Sequence, residues 1–128
     1  MAENIINYDF SGKTILIVED DTVSRLYLRE LLAPTGALVD FVRTGHEVFD
    51  YFKSSVPHLI LMDIKLPDID GITLSKSLLS DFPILKIIAQ TAFANDDIKR
   101  QCMEVGMKAF LTKPLRNDDL MSVLAQHL

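Results

Sequence analysis

The chain has 128 residues, 48% of them hydrophobic, and a formal net charge of -5. This composition predicts one globular domain with a single core, and the acidic balance argues against non-specific nucleic-acid binding. No apolar run is long enough to span a membrane, no signal-peptide pattern follows Met1, and Cys102 is the only cysteine, so we expect a protein of the reducing cytoplasm.

The first predicted strand ends in a cluster of acids. Residues 14–18 are apolar from Ile15 onward, a pattern typical of a strand buried on both faces of a parallel sheet, and Glu19, Asp20 and Asp21 follow directly. Asp21 stands just before a helix and is expected to cap it. Residues 1–12 show no clear period, which is compatible with a tail, a linker or an extra strand. We predict an N-terminal tail or linker there and the domain itself over residues 13–128.

A helix is predicted over residues 24–32, ended by Pro34 and Gly36. Apolar side chains recur along it at helical spacing: Val23, Tyr27, Leu28, Leu31 and Leu32. We expect this set to form the buried face of the helix. Residues 38–42 then predict a second strand and residues 45–53 a short second helix. The apolar positions of that helix are Val48, Phe49 and Phe52.

The central strand is predicted over residues 59–63, where four apolar residues precede Asp63. A turn-rich loop follows over residues 65–71, and a third helix leads from it to Pro83. The apolar positions of this helix are Leu74, Leu78 and Leu79.

Two further strand–helix units complete the chain. Residues 85–89 predict a fourth strand that delivers Thr91, and residues 109–112 predict a fifth that delivers Lys113. The helices after them begin at Asn95 and Asn117, each followed by two aspartates that favour a helix start. Their inward positions are Ile98, Cys102 and Val105 in the fourth helix, which Gly106 ends, and Leu120, Val123 and Leu124 in the fifth.

This alternation predicts an α/β fold: a three-layer, doubly wound, five-stranded parallel sheet in the flavodoxin-like order 2-1-3-4-5. In that order the first and third strands are neighbours, and their C-terminal ends carry Glu19, Asp20 and Asp63. Because the ends of parallel strands meet at one edge of the sheet, Thr91 and Lys113 are expected in the same cleft.

Carboxylates that lie so close together repel one another unless a cation intervenes. Mg²⁺ prefers a few carboxylate oxygens together with water and a phosphate oxygen, so it is the cofactor we expect. Asp63 is then the candidate nucleophile toward phosphorus, forming an aspartyl phosphate. Lys113 and the Thr91 hydroxyl would help to neutralise the phosphoryl oxygens.

The sequence resembles a response-regulator receiver domain of two-component signalling over essentially all of residues 13–128. Four segments carry the resemblance, in the right order and at the right strand ends: residues 15–21, 59–67 with 70–71, 87–92 and 106–114. The resemblance implies that Asp63 is the phosphoacceptor. It also implies that Mg²⁺ is held by Asp20, Asp63 and the backbone carbonyl of Lys65, with Glu19 acting mainly through a water.

The resemblance further implies a switch. Thr91 would move to bond the phosphoryl group, and Phe110 would swing inward behind it. Lys113 would pair with the phosphoryl oxygens, and a cis Lys113–Pro114 bond would aim its side chain into the site. Without the resemblance, Phe110 would be interpreted as a core aromatic and Lys113 as a surface lysine. Phe93, two residues after Thr91, places an aromatic ring near the mouth of the site, where we expect it to hinder the attacking water.

The function implied is a phosphorylation-dependent signalling switch of a phosphorelay. It accepts a phosphoryl group from the phosphohistidine of a histidine kinase or phosphotransfer protein, and it changes the surface formed by residues 95–128, the expected face for a partner or a homodimer. It is not expected to be an enzyme beyond catalysing its own phosphorylation and dephosphorylation, nor to contact nucleic acid or membrane. The sequence looks most like the receiver of a hybrid histidine kinase, which is its expected setting.

Three alternatives compete with this hypothesis. A nucleotide-binding enzyme of the same architecture would need a glycine-rich or hydroxyl-rich phosphate loop where this chain has residues 19–21. A haloacid-dehalogenase-type phosphatase would need the first aspartate of its D-x-D-G motif at a strand end, whereas residues 68–71 lie in a loop beyond Asp63. A degenerate receiver that serves only as a docking module would be expected to lack an acid, Thr91 or Lys113.

Overall fold

The computed structural model of the chain describes residues 7–128. One sheet of five parallel strands, in the order β2-β1-β3-β4-β5, lies between two layers of helices. The strands are β1 (Thr14–Val18), β2 (Leu38–Val42), β3 (Leu59–Asp63), β4 (Lys86–Thr91) and β5 (Ala109–Thr112). The helices are α1 (Thr22–Leu32), α2 (Gly45–Phe52), α3 (Gly71–Asp81), α4 (Asp96–Glu104) and α5 (Asn117–His127), with a 3₁₀ turn at Ala33–Thr35. The predicted flavodoxin-like topology is confirmed.

Strand β3 is the centre of the core, and none of its five residues is exposed. Alternate side chains point to opposite faces of a strand, so Ile60 and Met62 pack with α2, α3 and α4, while Leu59 and Leu61 pack with α1 and α5. Each face therefore has its own apolar layer, which explains why an unbroken apolar run rather than an alternating one specifies this strand.

Capping side chains begin three helices at the carboxyl edge of the sheet, and the sequence predicts two of them, Asp21 and Asn95. Asp21 accepts a hydrogen bond from Ser24 N (2.8 Å) at the start of α1, and Asn95 accepts one from Ile98 N (2.8 Å) at the start of α4. Asp70 caps α3, accepting from Ile72 N at 3.3 Å. These bonds satisfy amide groups that have no partner inside the helix, and so each helix begins directly after its strand-end loop.

The predicted buried face of α1 is wrong in part. Leu28 and Leu32 are buried, but Val23 is 73% and Tyr27 44% exposed. The sequence offers two adjoining apolar stripes on this helix, and only one of them can face the sheet. The Tyr27 hydroxyl instead donates to the carbonyl oxygen of Leu115 (2.6 Å), which places that ring at the edge of the carboxyl-end cleft. In α2, Phe49 is likewise 41% exposed, whereas Val48 is buried.

The segment before β1 packs against the domain in its described part. Phe10 is buried in the apolar layer of α1 and α5, and its amide donates to the carbonyl oxygen of Thr35 (2.7 Å). Residues 1–6, half of the predicted tail or linker, lie outside the described residues. The domain boundary at residue 13 stays a prediction.

Candidate functional site

Three carboxylates meet at the carboxyl edge of the sheet. Glu19 and Asp20 follow β1, Asp63 ends β3, and the two strands are paired, with Val18 opposite Met62. Each of the three acids offers one oxygen within 4.8 Å of the others. Within residues 7–128, no other group of three potential metal ligands comes together in this way. The predicted convergence of these acids is thus present in the fold.

Lys113 joins the acids from the end of β5. Its Nζ donates to Asp63 Oδ2 at 2.8 Å and also to Glu19 Oε1. The backbone amide of Lys113 donates to the carbonyl oxygen of Thr91 (2.9 Å), which continues the β4–β5 pairing to the edge of the site. The Lys113–Pro114 peptide bond is cis, as expected. One ammonium group therefore bridges two carboxylates that come from different strands.

Burial and pairing compete in setting the charges of this group. Burial raises the pKa of Glu19, a side chain with no exposed surface, and the bonds from Lys113 and from Asp21 N only partly offset it. For Lys113, burial works to lower the pKa, but the hydrogen bonds to Asp63 and Glu19 outweigh it and the pKa is raised. Lys113 accordingly keeps its positive charge, whereas the surroundings of Glu19 stabilise the negative charge of its carboxylate only in part.

The two predicted switch residues lie on neighbouring strands and on the same face of the sheet. Thr91 ends β4 and is 1% exposed, and its Oγ1 accepts a hydrogen bond from Phe93 N at 3.0 Å. Phe110 pairs with Ala89 on β4, two residues before Thr91, and is half-buried against the layer of α2, α3 and α4. The Phe110 ring and the Thr91 hydroxyl thus share one layer of the core.

The loop after β3 lies over the mouth of the site. The Lys65 amide donates to Asp63 Oδ1 at 3.0 Å, and the Lys65 ammonium lies 4.3 Å from the centre of the Phe93 ring, a cation–π contact. A pocket of about 430 Å³ opens beside this pair and is lined in part by Leu66, Thr91, Asn95 and Ile98. Phe93 is 61% exposed and lines this pocket together with Thr91, so its ring lies near the mouth of the site.

Asp68 has a role that the sequence did not reveal. Residues 68–71 are a turn that leads into α3, as predicted, and Asp68 lies five residues beyond the end of β3, unlike the first aspartate of a D-x-D-G phosphatase motif, which stands at a strand end. Its carboxylate, however, accepts hydrogen bonds from the amides of Gly45 and His46 at the start of α2. A contact between residues more than twenty positions apart leaves no local sequence signal.

Among residues 7–128, none of the helices combines the length and the apolar character that crossing a bilayer requires.

Comparisons with known proteins agree with this geometry. The family model for the response regulator receiver domain matches residues 15–125. The polar-differentiation response regulator DivK of Brucella abortus is 30% identical over 118 residues, which cover 91% of this chain and 96% of DivK. The osmosensing histidine protein kinase of Saccharomyces cerevisiae is 32% identical over 119 residues, 88% of this chain but only 10% of the kinase.

Solved structures give the same result. A CheY-like receiver domain protein from Methanospirillum hungatei superimposes with a TM-score of 0.84 at 30% identity, covering 91% of this chain and 93% of that one. The receiver domain of a sensor histidine kinase from Pseudomonas aeruginosa, solved with magnesium coordinated in its active site cleft, gives 0.82 at 28% identity and covers 91% and 98%. The chain belongs to the response-regulator receiver family, the signalling modules of two-component systems.

Proposed function

We propose that this receiver domain is a phosphorylation-dependent switch that accepts a phosphoryl group on Asp63. The observation that supports this most directly is the position of Asp63, where Lys113 contacts one carboxylate oxygen and the Lys65 amide contacts the other. Glu19 and Asp20 supply further negative charge within reach of the same point. The site has a nucleophile, a cation for the incoming phosphoryl oxygens and a set of metal ligands in one cleft.

The acids fit a magnesium ion. Their donor atoms are all hard oxygens, and one oxygen from each of Glu19, Asp20 and Asp63 lies within 4.8 Å of the others, as shared coordination requires. We assign Asp20, Asp63 and the backbone carbonyl of Lys65 as protein ligands, with Glu19 acting mainly through a water. Bound Mg²⁺ would neutralise the carboxylates and the phosphoryl oxygens.

The proposed transfer moves one phosphoryl group. A carboxylate oxygen of Asp63 forms a bond to phosphorus, the P–N bond of the donor phosphohistidine breaks, and the imidazole nitrogen keeps the electron pair. Lys113 is already held at the cleft by two carboxylates, so it can pair with a phosphoryl oxygen without a large movement. The donor is a histidine kinase or a phosphotransfer protein.

The new charge on Asp63 then draws the Thr91 hydroxyl from its bond with Phe93 N, and Phe110 moves into the space behind it. Both residues lie on the face covered by α4, so the α4-β5-α5 surface changes with them. We propose this surface as the face for a partner or a second copy of the domain. Two packings of small free-energy difference are all that such a switch requires.

We also propose that residues 13–128 form a cytoplasmic signalling domain that catalyses its own phosphorylation and dephosphorylation. Its proposed setting is a hybrid histidine kinase, in which it is the receiver. A docking module that works without phosphorylation is not favoured, since the acids, Thr91 and Lys113 are all present and assembled.

The test is phosphorylation by acetyl phosphate, followed by intact mass, with Mg²⁺ and with EDTA. A Mg²⁺-dependent phosphoryl adduct on the wild-type chain is the expected result. Titration with a beryllofluoride mimic, observed through amide NMR signals, should shift signals of α4 and β5 as well as those at the site. A chain that neither binds Mg²⁺ nor acquires the adduct would exclude the switch.

Replacing Phe93 by serine should speed the loss of the phosphoryl group about threefold. The cation–π contact between Lys65 and the exposed Phe93 ring is worth roughly 0.5–1 kcal/mol. We expect this contact to keep the Lys65 side chain over the mouth of the site. Its loss then lowers the barrier to attack by water on the phosphoryl group by about that amount, where about 1.4 kcal/mol corresponds to a tenfold change in rate.

The measurement is the decay of the adduct after acetyl phosphate is removed. Phe49→Ser is the matched control, since Phe49 is an exposed phenylalanine on α2, outside the pocket beside Lys65. Equal decay rates for Phe93→Ser and the wild-type protein would eliminate the shielding role.

A further inference from the structure

The loop that follows the phosphoacceptor strand is held at its apex by another helix. Asp68 Oδ1 accepts a hydrogen bond from Gly45 N at 2.8 Å, and Asp68 Oδ2 accepts one from His46 N at 2.9 Å. These are the first two amides of α2, which have no partner inside their own helix. The carboxylate therefore joins α2 to the loop after β3, two segments between which β3 lies in the sequence.

Close packing accompanies these bonds. Gly45 is buried, and a Cβ atom at that position would collide with Ile69 Cγ2, so only glycine lets the loop approach the helix this closely. The Ile69 side chain packs against the apolar layer of α2, α3 and α4. The apex at residues 68–69 is thus seated on α2 by one polar and one apolar side chain.

The base of the same loop is closed separately. Lys65 and Asp70 form an antiparallel bridge, and Gly71 N donates to the carbonyl oxygen of Ile64 at 2.8 Å. The Lys65 amide is also fixed, since it donates to Asp63 Oδ1. With base and apex both held, the peptide groups between them have little freedom, and these include the carbonyl of Lys65.

Charge strengthens the contact at the apex. The hydrogen bonds from Gly45 and His46 lower the pKa of Asp68, so its carboxyl group remains ionised at physiological pH. A negative charge at this point also interacts favourably with the positive end of the α2 dipole. The neighbouring His46 is 89% exposed, with Nδ1 3.5 Å from Asp68 Oδ2.

We propose that Asp68 is a positioning residue for the magnesium site: by holding the apex of the loop against α2, it keeps the Lys65 carbonyl directed at the metal. This inference rests on the proposed function, in which Lys65 is a ligand. Asp68 itself does not touch the ion, so it acts by orientation, as partners behind metal ligands do in other sites.

The chain offers a matched control for the experiment. Thr44 caps the same helix, with its Oγ1 accepting from Glu47 N at 3.1 Å, but it has no bond to the loop. Thr44→Ala and Asp68→Ala each remove an acceptor at the start of α2, and only Asp68→Ala also releases the loop. Asp68→Asn keeps one acceptor oxygen and is expected to fall between the wild-type protein and Asp68→Ala.

The measurement is Mg²⁺ affinity of the full chain by calorimetry, with the phosphorylation rate at low and at saturating Mg²⁺ as a second readout. We expect Asp68→Ala to bind Mg²⁺ about tenfold more weakly, near the lower end for residues that orient metal ligands. Its phosphorylation rate should fall at low Mg²⁺ and recover at saturating Mg²⁺, whereas Thr44→Ala should match the wild-type protein.

Two results would overturn the inference: unchanged affinity in Asp68→Ala, or the same loss in Thr44→Ala, which would assign the effect to the stability of α2. Failure of the proposed function looks different, since the wild-type chain itself would then bind no Mg²⁺ and acquire no adduct.

Discussion

Asp63→Asn is expected to eliminate the phosphoryl adduct on treatment with acetyl phosphate and Mg²⁺. Asparagine has nearly the same shape, but its neutral amide is a poor nucleophile toward phosphorus. The substitution also removes the charge that pairs with Lys113 at 2.8 Å. Intact mass after incubation is the measurement, and circular dichroism shows whether the fold is kept.

Asp21→Asn is the control for this experiment, because it makes the same chemical change two residues after Glu19. The Asp21 side chain caps α1 and accepts from Ser24 N, and it is not one of the three acids whose oxygens cluster. Its variant should acquire the adduct at close to the wild-type rate. An adduct that persists in Asp63→Asn would mean that another acid is the nucleophile, and Asp20 would be the next to replace.

The sheet could be predicted from the sequence because its central strands are buried on both faces. Runs such as residues 15–18 and 59–62 must be apolar throughout, and the helices between parallel strands require right-handed crossover connections. Once the strand order was known, the meeting of Glu19, Asp63 and Lys113 followed, although Glu19 and Lys113 lie 94 positions apart in the sequence.

Features that depend on a choice between equivalent local patterns could not be predicted. The outward position of Val23 and Tyr27 on α1 depends on which apolar stripe meets the sheet, and both stripes have helical spacing. The bonds between Asp68 and α2 depend on how closely two loops approach. Gly45 is the one trace of that contact in the sequence, and a glycine at a helix start has several ordinary explanations.

Lys113→Met should destabilise the fold by about 3 kcal/mol at neutral pH without Mg²⁺, the usual cost of breaking a buried ion pair by removing one partner. Lys113 Nζ bonds both Glu19 and Asp63, whose side chains are 0% and 7% exposed. Methionine fills most of the volume of the lysine stem, so the loss reflects charge rather than packing. Urea denaturation in the presence of EDTA measures the difference.

The pH dependence of this loss has a definite sign. The folded-state pKa of Glu19 is already raised, by burial first, and Lys113 works to lower it. Without Lys113 the pKa rises further, so the loss of stability that begins at about pH 4.3, where an unfolded glutamate ionises, continues to a higher pH in the variant than in the wild-type protein. The deficit of Lys113→Met should therefore be large at neutral pH and small at about pH 5.

Lys53→Met provides the matched comparison. Lys53 Nζ lies 2.9 Å from Asp50 Oδ1, nearly the same distance as in the Lys113–Asp63 pair, but both side chains are more than 70% exposed. Its loss should cost less than about 0.5 kcal/mol at either pH, as for other surface pairs. If Lys113→Met were no more destabilising than Lys53→Met, Glu19 would have to be protonated or solvated in the folded domain. The three acids would then have no need of a cation, and the electrostatic case for magnesium at this edge of the sheet would be lost.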